Sequence, residues 1–358
     1  MDADNNIQVD ASAETQAQVE APMQTMVSIQ GKPEALRGRC SLCGSELVAD
    51  PTRKGVNICP HCHTIQKVTN TELAPGTVIG DYRILKKLAQ GGMGILYLCC
   101  RVDDLERRYV LKTLKLELGE NHEVYARRFK RESELMARLN HDNIVHVYDS
   151  WSDDFSAYII MEYIDGDTLE YIRLKDLYVF DEPVVIQIMM LLADALNYAW
   201  EELKLLHRDI KPSNIMIDRE NHLHLLDFGI AKSLNAEEET VLTIAGHGLG
   251  TPGYMSPEQF RNATDLNCTT DIYSLGATMY FLVTGEPPFP GKNPNVVFNE
   301  MLKRDPIPLH ERNPEISENF SMLIQQTLNR NPQKRPFSWK KLMVDLERVA
   351  DGKPPLLS

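Results

Sequence analysis

The sequence predicts an α+β protein with two lobes, a β-rich N-terminal lobe that reaches to about Ile164 and a helical lobe that follows it. Strand-like patterns begin at Tyr82, where the stretches ILYLCC and RRYVLKTL are rich in β-branched and aromatic residues. Helix-like spacing of apolar residues then continues almost to the end of the chain. Two CxxC motifs before Tyr82 predict a further small unit.

Composition limits the classes of protein that this chain can represent. It has 358 residues, 43% of them hydrophobic, and a net charge of -13, which argues against nucleic acid as a partner of the whole chain. The longest apolar run, residues 184–193, is shorter than the roughly 20 residues of a membrane span, and no signal peptide opens the sequence. Cys99, Cys100 and Cys268 follow no pairing pattern, so we expect a reducing compartment, the cytoplasm. The short apolar run predicts no membrane span.

Shifts in composition divide the chain. Residues 1–30 contain five acidic and no basic residues, which predicts a disordered acidic tail. Residues 31–70 carry six basic against three acidic residues, a local balance of +3. A linker is expected at 71–81, and the large folded region extends over 82–349, with lobes 82–164 and 165–349 and a C-terminal tail at 350–358.

The small unit carries four cysteines at a spacing typical of a metal site. CSLC and CPHC are separated by fifteen residues, so Cys40, Cys43, Cys59 and Cys62 can offer four thiolates to a structural Zn²⁺. Two disulfides and a redox CxxC are the alternatives, and His61 or His63 is an alternative ligand. The spacing resembles a zinc ribbon, and metal binding would stabilise a unit with so small a core. Its partner is unknown: a protein-docking role is preferred, and an acidic ligand, including nucleic acid, is the alternative.

The stretch LAQGGMGILYL, residues 88–98, predicts a phosphate-binding turn. A dinucleotide-binding glycine loop leads into a helix, whereas here two strands follow, so the glycines are expected in a hairpin turn that can cover phosphates. Lys112 lies in the second of these strands. The next helix has an apolar stripe in which Glu132 occupies an inward position, where a charge needs a partner. Lys112 is the nearest candidate, and an exposed pair of Glu132 with Arg128 is the alternative.

The stretch LLHRDIKPSNIMIDRENHLHLLDFG has the highest density of candidate catalytic groups. Residues 215–217 and 223–226 are predicted as two strands joined by a polar turn, so Asn214 and Asp227 at their outer ends should meet. Two oxygen ligands side by side suit Mg²⁺, or Mn²⁺, shared with substrate phosphates. Asp209 can then accept a proton from a hydroxyl group beside a bound nucleotide.

From about Tyr82 to Val349 the chain resembles a serine/threonine protein kinase, by the ordered motifs of the glycine loop, VLK, HRDIKPSN, DFG and SPE. The resemblance implies the two-lobed protein kinase fold. It also implies an ATP-binding set of Leu88, Ala89, Gln90, Gly91, Gly92, Met93, Gly94, Ile95, Leu96, Lys112, Met161, Glu162, Tyr163 and Ile164. In this set Leu88 and Leu96 bracket the adenine, Met161 is the gatekeeper, and residues 162–164 form the hinge.

The resemblance also assigns catalytic roles. Asp209 is the catalytic base, Lys211 stabilises the γ-phosphate, and Asn214 and Asp227 hold Mg²⁺. Lys112 contacts the α- and β-phosphates and is oriented by Glu132. The implied reaction is transfer of the γ-phosphate of ATP to protein serine or threonine hydroxyls.

Residues 227–258 resemble an activation segment. Thr240 and Thr243 are its candidate phosphorylation sites, by autophosphorylation, and Arg208 is a cation that a phosphothreonine could engage. Thr251 resembles the threonine that contacts the catalytic aspartate. The remaining matches are structural: Glu258 with Arg335 resembles a buried ion pair, and Asp271 resembles the residue that supports the catalytic loop.

Ala89 occupies the position where the family's loop has its first glycine. The substitution costs little if the residue has a negative φ and about 1–2 kcal/mol if φ is positive. Because every other required position is occupied, the sequence favours an active kinase over an ATP-binding pseudokinase scaffold. A kinase regulated through the zinc ribbon, by a ligand or by nucleic acid, is a further alternative. DFGIAK and GTPGYMSPEQ resemble the bacterial branch of the family.

Overall fold

The computed structural model describes residues 45, 48–49, 56–62, 65–67, 72–91, 94–115, 122–152, 156–175, 177–228, 252–261, 263, 265–291 and 293–356. Contacts divide the chain into a unit within Asp10–Thr77 and a unit that spans Val78–Ser358. In the first unit, β1 (Val48–Ala49), β2 (Val56–Ile58) and β3 (Ile65–Lys67) form an antiparallel sheet in that order.

The larger unit begins with a six-stranded antiparallel sheet. Its strands are β4 (Val78–Ile79), β5 (Tyr82–Gly91), β6 (Gly94–Arg101), β7 (Tyr109–Lys115), β8 (Val147–Ser152) and β9 (Ser156–Glu162), in the spatial order β4-β5-β6-β7-β9-β8. Helix α1 (His122–Ala137) follows β7 and buries Phe129 and Met136 of the predicted stripe. The β-rich lobe was therefore predicted correctly. Strand β4 lies in the stretch expected to be a linker, because Gly80, with φ of +57°, lets the chain turn back and pair with β5.

A second three-stranded sheet follows the end of β9. It consists of β10 (Gly166–Thr168), β11 (Ile215–Asp218) and β12 (Leu223–Leu225), all antiparallel. Between β10 and β11 lie α2 (Leu169–Lys175) and α3 (Glu182–Leu203). Asp181 caps α3 by accepting a hydrogen bond from Val184 N at 3.3 Å, and Lys204 ends it in a left-handed conformation.

The rest of the helical lobe is built around one central helix. The described helices are α4 (Pro257–Phe260), α5 (Cys268–Thr284), α6 (Pro294–Lys303), α7 (Leu309–Arg312), α8 (Glu318–Thr327) and α9 (Trp339–Ala350). Residues 268–283 of α5 are all buried, so this helix has no solvent-facing side over that length. Asn267 caps its start, and Gly285, with φ of +81°, ends it.

Two features of this lobe bear on the predictions about a membrane span and a C-terminal tail. By length and composition α3 is the one helix in the described parts of the chain that could cross a membrane, but nine of its residues are buried in the core of the lobe. After α9 the chain does not separate from the lobe, since Leu356 N donates to Asp345 Oδ1 at 2.9 Å and Arg348 Nε donates to Pro354 O at 3.0 Å. The segment expected to be a C-terminal tail is thus bound to α9 as far as residue 356.

Candidate active site

The catalytic-loop sequence HRD is attached to α5 through Asp271. The Asp271 side chain is buried, and its two oxygens accept hydrogen bonds from His207 N at 2.7 Å and from Arg208 N at 2.8 Å. Burial raises the pKa of Asp271, while the two backbone donors and the nearby His207 act in the opposite direction. The supporting role that the resemblance gave to Asp271 agrees with these contacts.

His207 joins the catalytic loop to the strand that precedes Asp227. Its Nε2 lies 2.7 Å from Leu226 O and its Nδ1 accepts from Asp209 N at 3.2 Å, so the partners require the neutral tautomer with the proton on Nε2. Full burial lowers the pKa of His207, although Asp271 opposes the shift. Its ring packs against Phe228 at a centroid distance of 4.7 Å. His207 was not among the predicted site residues, although it is the first residue of the HRD motif.

Asp209 lies between two side chains of its own loop. Lys211 Nζ is 2.8 Å from Asp209 Oδ2, and Asn214 Nδ2 donates to the same oxygen at 3.1 Å and to Asp209 O at 2.8 Å. These contacts fix the orientation of the carboxylate and bring together three of the predicted site residues. They also use the Asn214 amide group as a donor, which leaves its Oδ1 as the acceptor.

The hairpin of β11 and β12 brings Asn214 beside Asp227, as predicted. Ile215 pairs with Leu225, and Leu226 N donates to Asn214 O at 2.8 Å. Asp227 follows at once and has a φ of +51°, a strained value for a residue with a side chain. Its Oδ1 lies 2.7 Å from Lys112 Nζ, so the strand lysine of the N-terminal lobe contacts the aspartate of the DFG motif.

Glu132 is half-buried on α1, as its place in the apolar stripe predicted. Its ion pair with Lys112 stays a prediction. Lys112 lies in β7 opposite Leu96 of β6 and Ile159 of β9, in the middle of the sheet. The Lys112 side chain is 16% exposed, so its ion pair with Asp227 is only weakly screened by water.

The glycine stretch forms the predicted hairpin, with Gly91 paired to Gly94. Gly94 has a φ of +156°, and an added Cβ would lie 1.8 Å from Thr113 O, so only glycine fits there. Ala89 pairs with Leu96 directly after an irregularity of β5, and its φ is outside the positive region. The alanine therefore causes no backbone strain. Gly92 and Met93 at the tip lie outside the described residues.

The predicted adenine-binding residues come from three elements. Leu88 is at an irregularity of β5 and is 39% exposed, whereas Leu96 on β6 is packed against the core. Met161 is buried on β9 opposite Val110, the position expected of a gatekeeper. Residues 162–164 connect β9 to the helical lobe, and Glu162 N donates to His146 O at 2.9 Å.

Glu258 and Arg335 form the predicted buried pair. Arg335 Nη1 and Nη2 contact the two Glu258 oxygens at 2.6 and 2.9 Å, and the arginine also donates to Thr269 O and Asn329 O. Burial by itself would raise the pKa of Glu258, but the Arg335 guanidinium and the Thr270 hydroxyl hold it below its ordinary value. The pair anchors α4 to the helical lobe.

Some predicted site residues lie outside the described residues, namely Thr240, Thr243, Thr251, Cys40 and Cys43. Cys59 and Cys62 are described: Cys59 is buried, and Cys62 N donates to Cys59 Sγ at 3.5 Å in the turn that follows β2. In the part of the chain that the structure covers, no group of three or more His, Cys, Asp or Glu side chains could hold a metal ion. This statement does not extend to Cys40 and Cys43, which lie outside the described residues.

The fold and the arrangement of the site are those of the protein kinase family. The family model described as the protein kinase domain matches residues 82–345, and the chain belongs to this family. It is 36% identical over 282 residues to the serine/threonine-protein kinase PknB of Mycobacterium leprae, an alignment that covers 76% of this chain and 44% of PknB. This chain therefore spans less than half the length of that curated relative.

Two solved structures resemble the chain at similar levels. The PknI kinase domain of Mycobacterium tuberculosis is 26% identical with a TM-score of 0.62, over 78% of this chain and all of that one. The apo form of PpkA-294 is 28% identical with a TM-score of 0.63, over 77% of this chain and 99% of that one. The predicted two-lobed kinase fold is thus confirmed, and the similarity to PknB supports the predicted type.

Proposed function

We propose that the chain is an ATP-dependent serine/threonine protein kinase. The observation that carries the proposal is the Asp209 carboxylate, held by Lys211 and Asn214 within the hairpin that also delivers Asp227. A carboxylate fixed in this way can accept the proton of an incoming hydroxyl group. The relatives named as serine/threonine-protein kinases support the same activity.

The residues of the cleft fit the nucleotide and its metal ion. Asn214 Oδ1 and the Asp227 carboxylate are hard oxygen donors of the kind that Mg²⁺ prefers, so these two residues would hold it. When bound, Mg²⁺ neutralises charge on the phosphates. Lys112 is placed to contact the α- and β-phosphates, and its present contact with Asp227 keeps its ammonium group at the cleft.

Each residue of the site has a proposed role in transfer of the γ-phosphate. The hairpin of residues 88–96 covers the phosphates, Leu88 and Leu96 hold the adenine with Met161 behind it, and Glu132 orients Lys112. Asp209 takes the proton from the acceptor hydroxyl, while Lys211, 2.8 Å from Asp209, offers positive charge to the transferred group. Protein serine and threonine side chains are the proposed acceptors.

Phosphorylation of the activation segment is the proposed regulatory step. Thr240 and Thr243 are its proposed sites, and Thr251 is the proposed contact of Asp209. Arg208 directly precedes Asp209, so a phosphothreonine bound to it would act next to the catalytic group. Replacing both Thr240 and Thr243 with alanine should lower the activity, and unchanged activity would contradict this role.

We propose a structural zinc ion for the N-terminal unit, bound by Cys40, Cys43, Cys59 and Cys62. The backbone-to-sulfur contact between Cys62 and Cys59, in the turn between β2 and β3, supports it, since such turns present thiolates to a metal. Metal analysis of the purified protein should find one zinc per chain, reduced by Cys59→Ser. Absence of zinc would contradict the site. The ribbon's partner is proposed to be a protein.

The proposed location is the cytoplasm. Cys99, Cys100 and Cys268 are free buried thiols, which supports a reducing compartment. Burial raises the pKa of Cys99 to about 12 and that of Cys268 to about 11, so neither thiol is reactive near neutral pH.

Transfer of labelled phosphate from ATP with Mg²⁺, to the chain itself and to dephosphorylated casein, tests the function. Asp209→Asn keeps the size of the side chain but removes the basic carboxylate, so incorporation should fall by a factor of 100 or more at unchanged ATP affinity. Equal incorporation in the variant would show that the label comes from a contaminating kinase. ATP binding without any transfer would identify a pseudokinase scaffold instead.

A further inference from the structure

The peptide group between Arg208 and Asp209 has hydrogen-bond partners for both its carbonyl oxygen and its N–H group. Arg208 has a φ of +62°, a left-handed conformation that a residue with a side chain adopts only when its surroundings impose it. Arg208 N donates to Asp271 Oδ1, and Asp209 N donates to His207 Nδ1. The carbonyl oxygen of Arg208 accepts a hydrogen bond from Gln259 Nε2 at 2.9 Å.

Gln259 lies in a different part of the chain from the loop that it contacts. It belongs to α4, next to Glu258 and directly after the proposed activation segment. Its Oε1 accepts from Ser256 N at 3.1 Å and contacts Ser256 Oγ at 3.2 Å, which completes the capping box of α4. One amide group therefore bonds α4 through its oxygen and the catalytic loop through its nitrogen.

The two ends of this amide have different chemical requirements. A capping box accepts glutamate as well as glutamine at this position, because only an acceptor oxygen is needed. The bond to Arg208 O requires an N–H donor, which glutamate does not have. Helix capping therefore explains the amide oxygen of Gln259 but not the hydrogen bond that its Nε2 donates to Arg208 O.

We propose that Gln259 is a positioning residue that fixes the Arg208–Asp209 peptide and, through it, the catalytic carboxylate. The inference rests on the proposed kinase function. Without Gln259, the carbonyl oxygen of the left-handed Arg208 loses the hydrogen bond from Gln259 Nε2, while the bond from Arg208 N to Asp271 stays. The bond also connects the end of the activation segment to the catalytic loop across 51 positions of sequence.

Gln259→Glu separates positioning from capping, because it keeps the acceptor for Ser256 and removes the donor to Arg208. Ser256→Ala is the matched control, since it removes the capping hydroxyl and leaves the Gln259–Arg208 bond in place. Gln259→Met removes the donor without adding a charge, but it also removes the acceptor for Ser256. It replaces the glutamate variant if that variant does not fold, and Ser256→Ala then shows how much of the loss comes from the weakened cap. All variants are made in the full chain and compared by kcat and KM with dephosphorylated casein, and by thermal unfolding.

We expect kcat to fall about three- to tenfold in Gln259→Met, the factor that one neutral hydrogen bond represents, and further in Gln259→Glu. KM for ATP should stay within about twofold, because the nucleotide contacts are elsewhere. Ser256→Ala should keep the kcat of the unmodified protein even where it unfolds at a lower temperature. A kcat within twofold in both Gln259 variants, or an equal loss in Ser256→Ala, would overturn the inference.

Hydrogen–deuterium exchange gives a second readout that does not need activity. The peptide that covers residues 205–211 should exchange faster in both Gln259 variants than in Ser256→Ala. If the unmodified protein transfers no phosphate but this difference is present, the kinase function fails and the positioning bond stands. If transfer is normal and exchange and kcat are unaffected in the variants, the positioning role fails and the kinase function stands.

Discussion

Replacing Arg335 with methionine should destabilise the protein strongly. The guanidinium is 0% exposed and makes two hydrogen bonds to Glu258, one to Thr269 O and one to Asn329 O, while the Glu258 side chain is 13% exposed. Removing one partner of a buried pair leaves an uncompensated charge, at a cost of about 3–5 kcal/mol. At roughly 2–4 °C per kcal/mol, the melting temperature should fall by about 6–20 °C.

The pH dependence of this loss provides a second check on the same variant. In the native protein the pKa of Glu258 is below its ordinary value of 4.5, so its contribution to stability is present above that pH and is lost as the pH falls through the lowered pKa. In Arg335→Met, burial without the guanidinium should raise this pKa above 4.5, so the variant loses stability as the pH rises through the raised value.

Calorimetry at pH 4 and pH 7 measures both effects, and the difference in melting temperature should be larger at pH 7. Arg312→Met is the matched control, because Arg312 pairs with Glu286 at 2.8 Å on the surface, where the glutamate is 56% exposed. A surface pair contributes at most about 1 kcal/mol. A loss for Arg335→Met no larger than the control, or one that is equal at both pH values, would refute the reasoning.

Three further substitutions test the site. Gly94→Ala should lower the melting temperature, because its Cβ would lie 1.8 Å from Thr113 O, whereas the Cβ of Gly91→Ala has nothing within 4 Å and should leave the melting temperature unchanged. Equal shifts of the two variants in calorimetry would contradict the geometry. Ala89→Gly should change KM for ATP by less than about twofold, since the alanine causes no strain, and a large gain in affinity would show otherwise. Asp271→Asn replaces one acceptor oxygen with a donor that faces a backbone N–H. In steady-state kinetics, kcat should fall about 10- to 100-fold at constant ATP affinity. A change confined to KM would contradict this prediction.

Contacts within a hairpin could be predicted from the sequence, because a short turn fixes which ends meet. Asn214 and Asp227 were expected side by side for this reason, and the hydrogen bond from Leu226 N to Asn214 O places them so. The order of a strand-rich region before a helical one, and the buried positions of α1, also followed from periodicity, whereas the two-lobed kinase fold came from the family resemblance. These predictions needed no knowledge of the tertiary structure.

Contacts between distant segments could not be predicted in that way. The pairing of Glu258 with Arg335 came only from the family resemblance, and the bond between Gln259 and Arg208 was not expected, although the pattern S-x-x-Q is visible in the sequence as a capping box. Ala89 shows a different limit. The cost of its methyl group depends on the sign of one backbone angle, which a sequence does not contain and the strand pairing of β5 decides.

The complete burial of α5 has a consequence for how activity can be controlled. Asp271 belongs to this helix and accepts hydrogen bonds from His207 N and Arg208 N. The position of the catalytic loop therefore depends on the packed core of the helical lobe. Packed cores shift between discrete arrangements and do not deform gradually. A signal that adjusts the rate without unfolding the lobe must therefore act on groups outside this helix, such as Gln259, which contacts the catalytic loop at Arg208, and Lys112, which contacts Asp227.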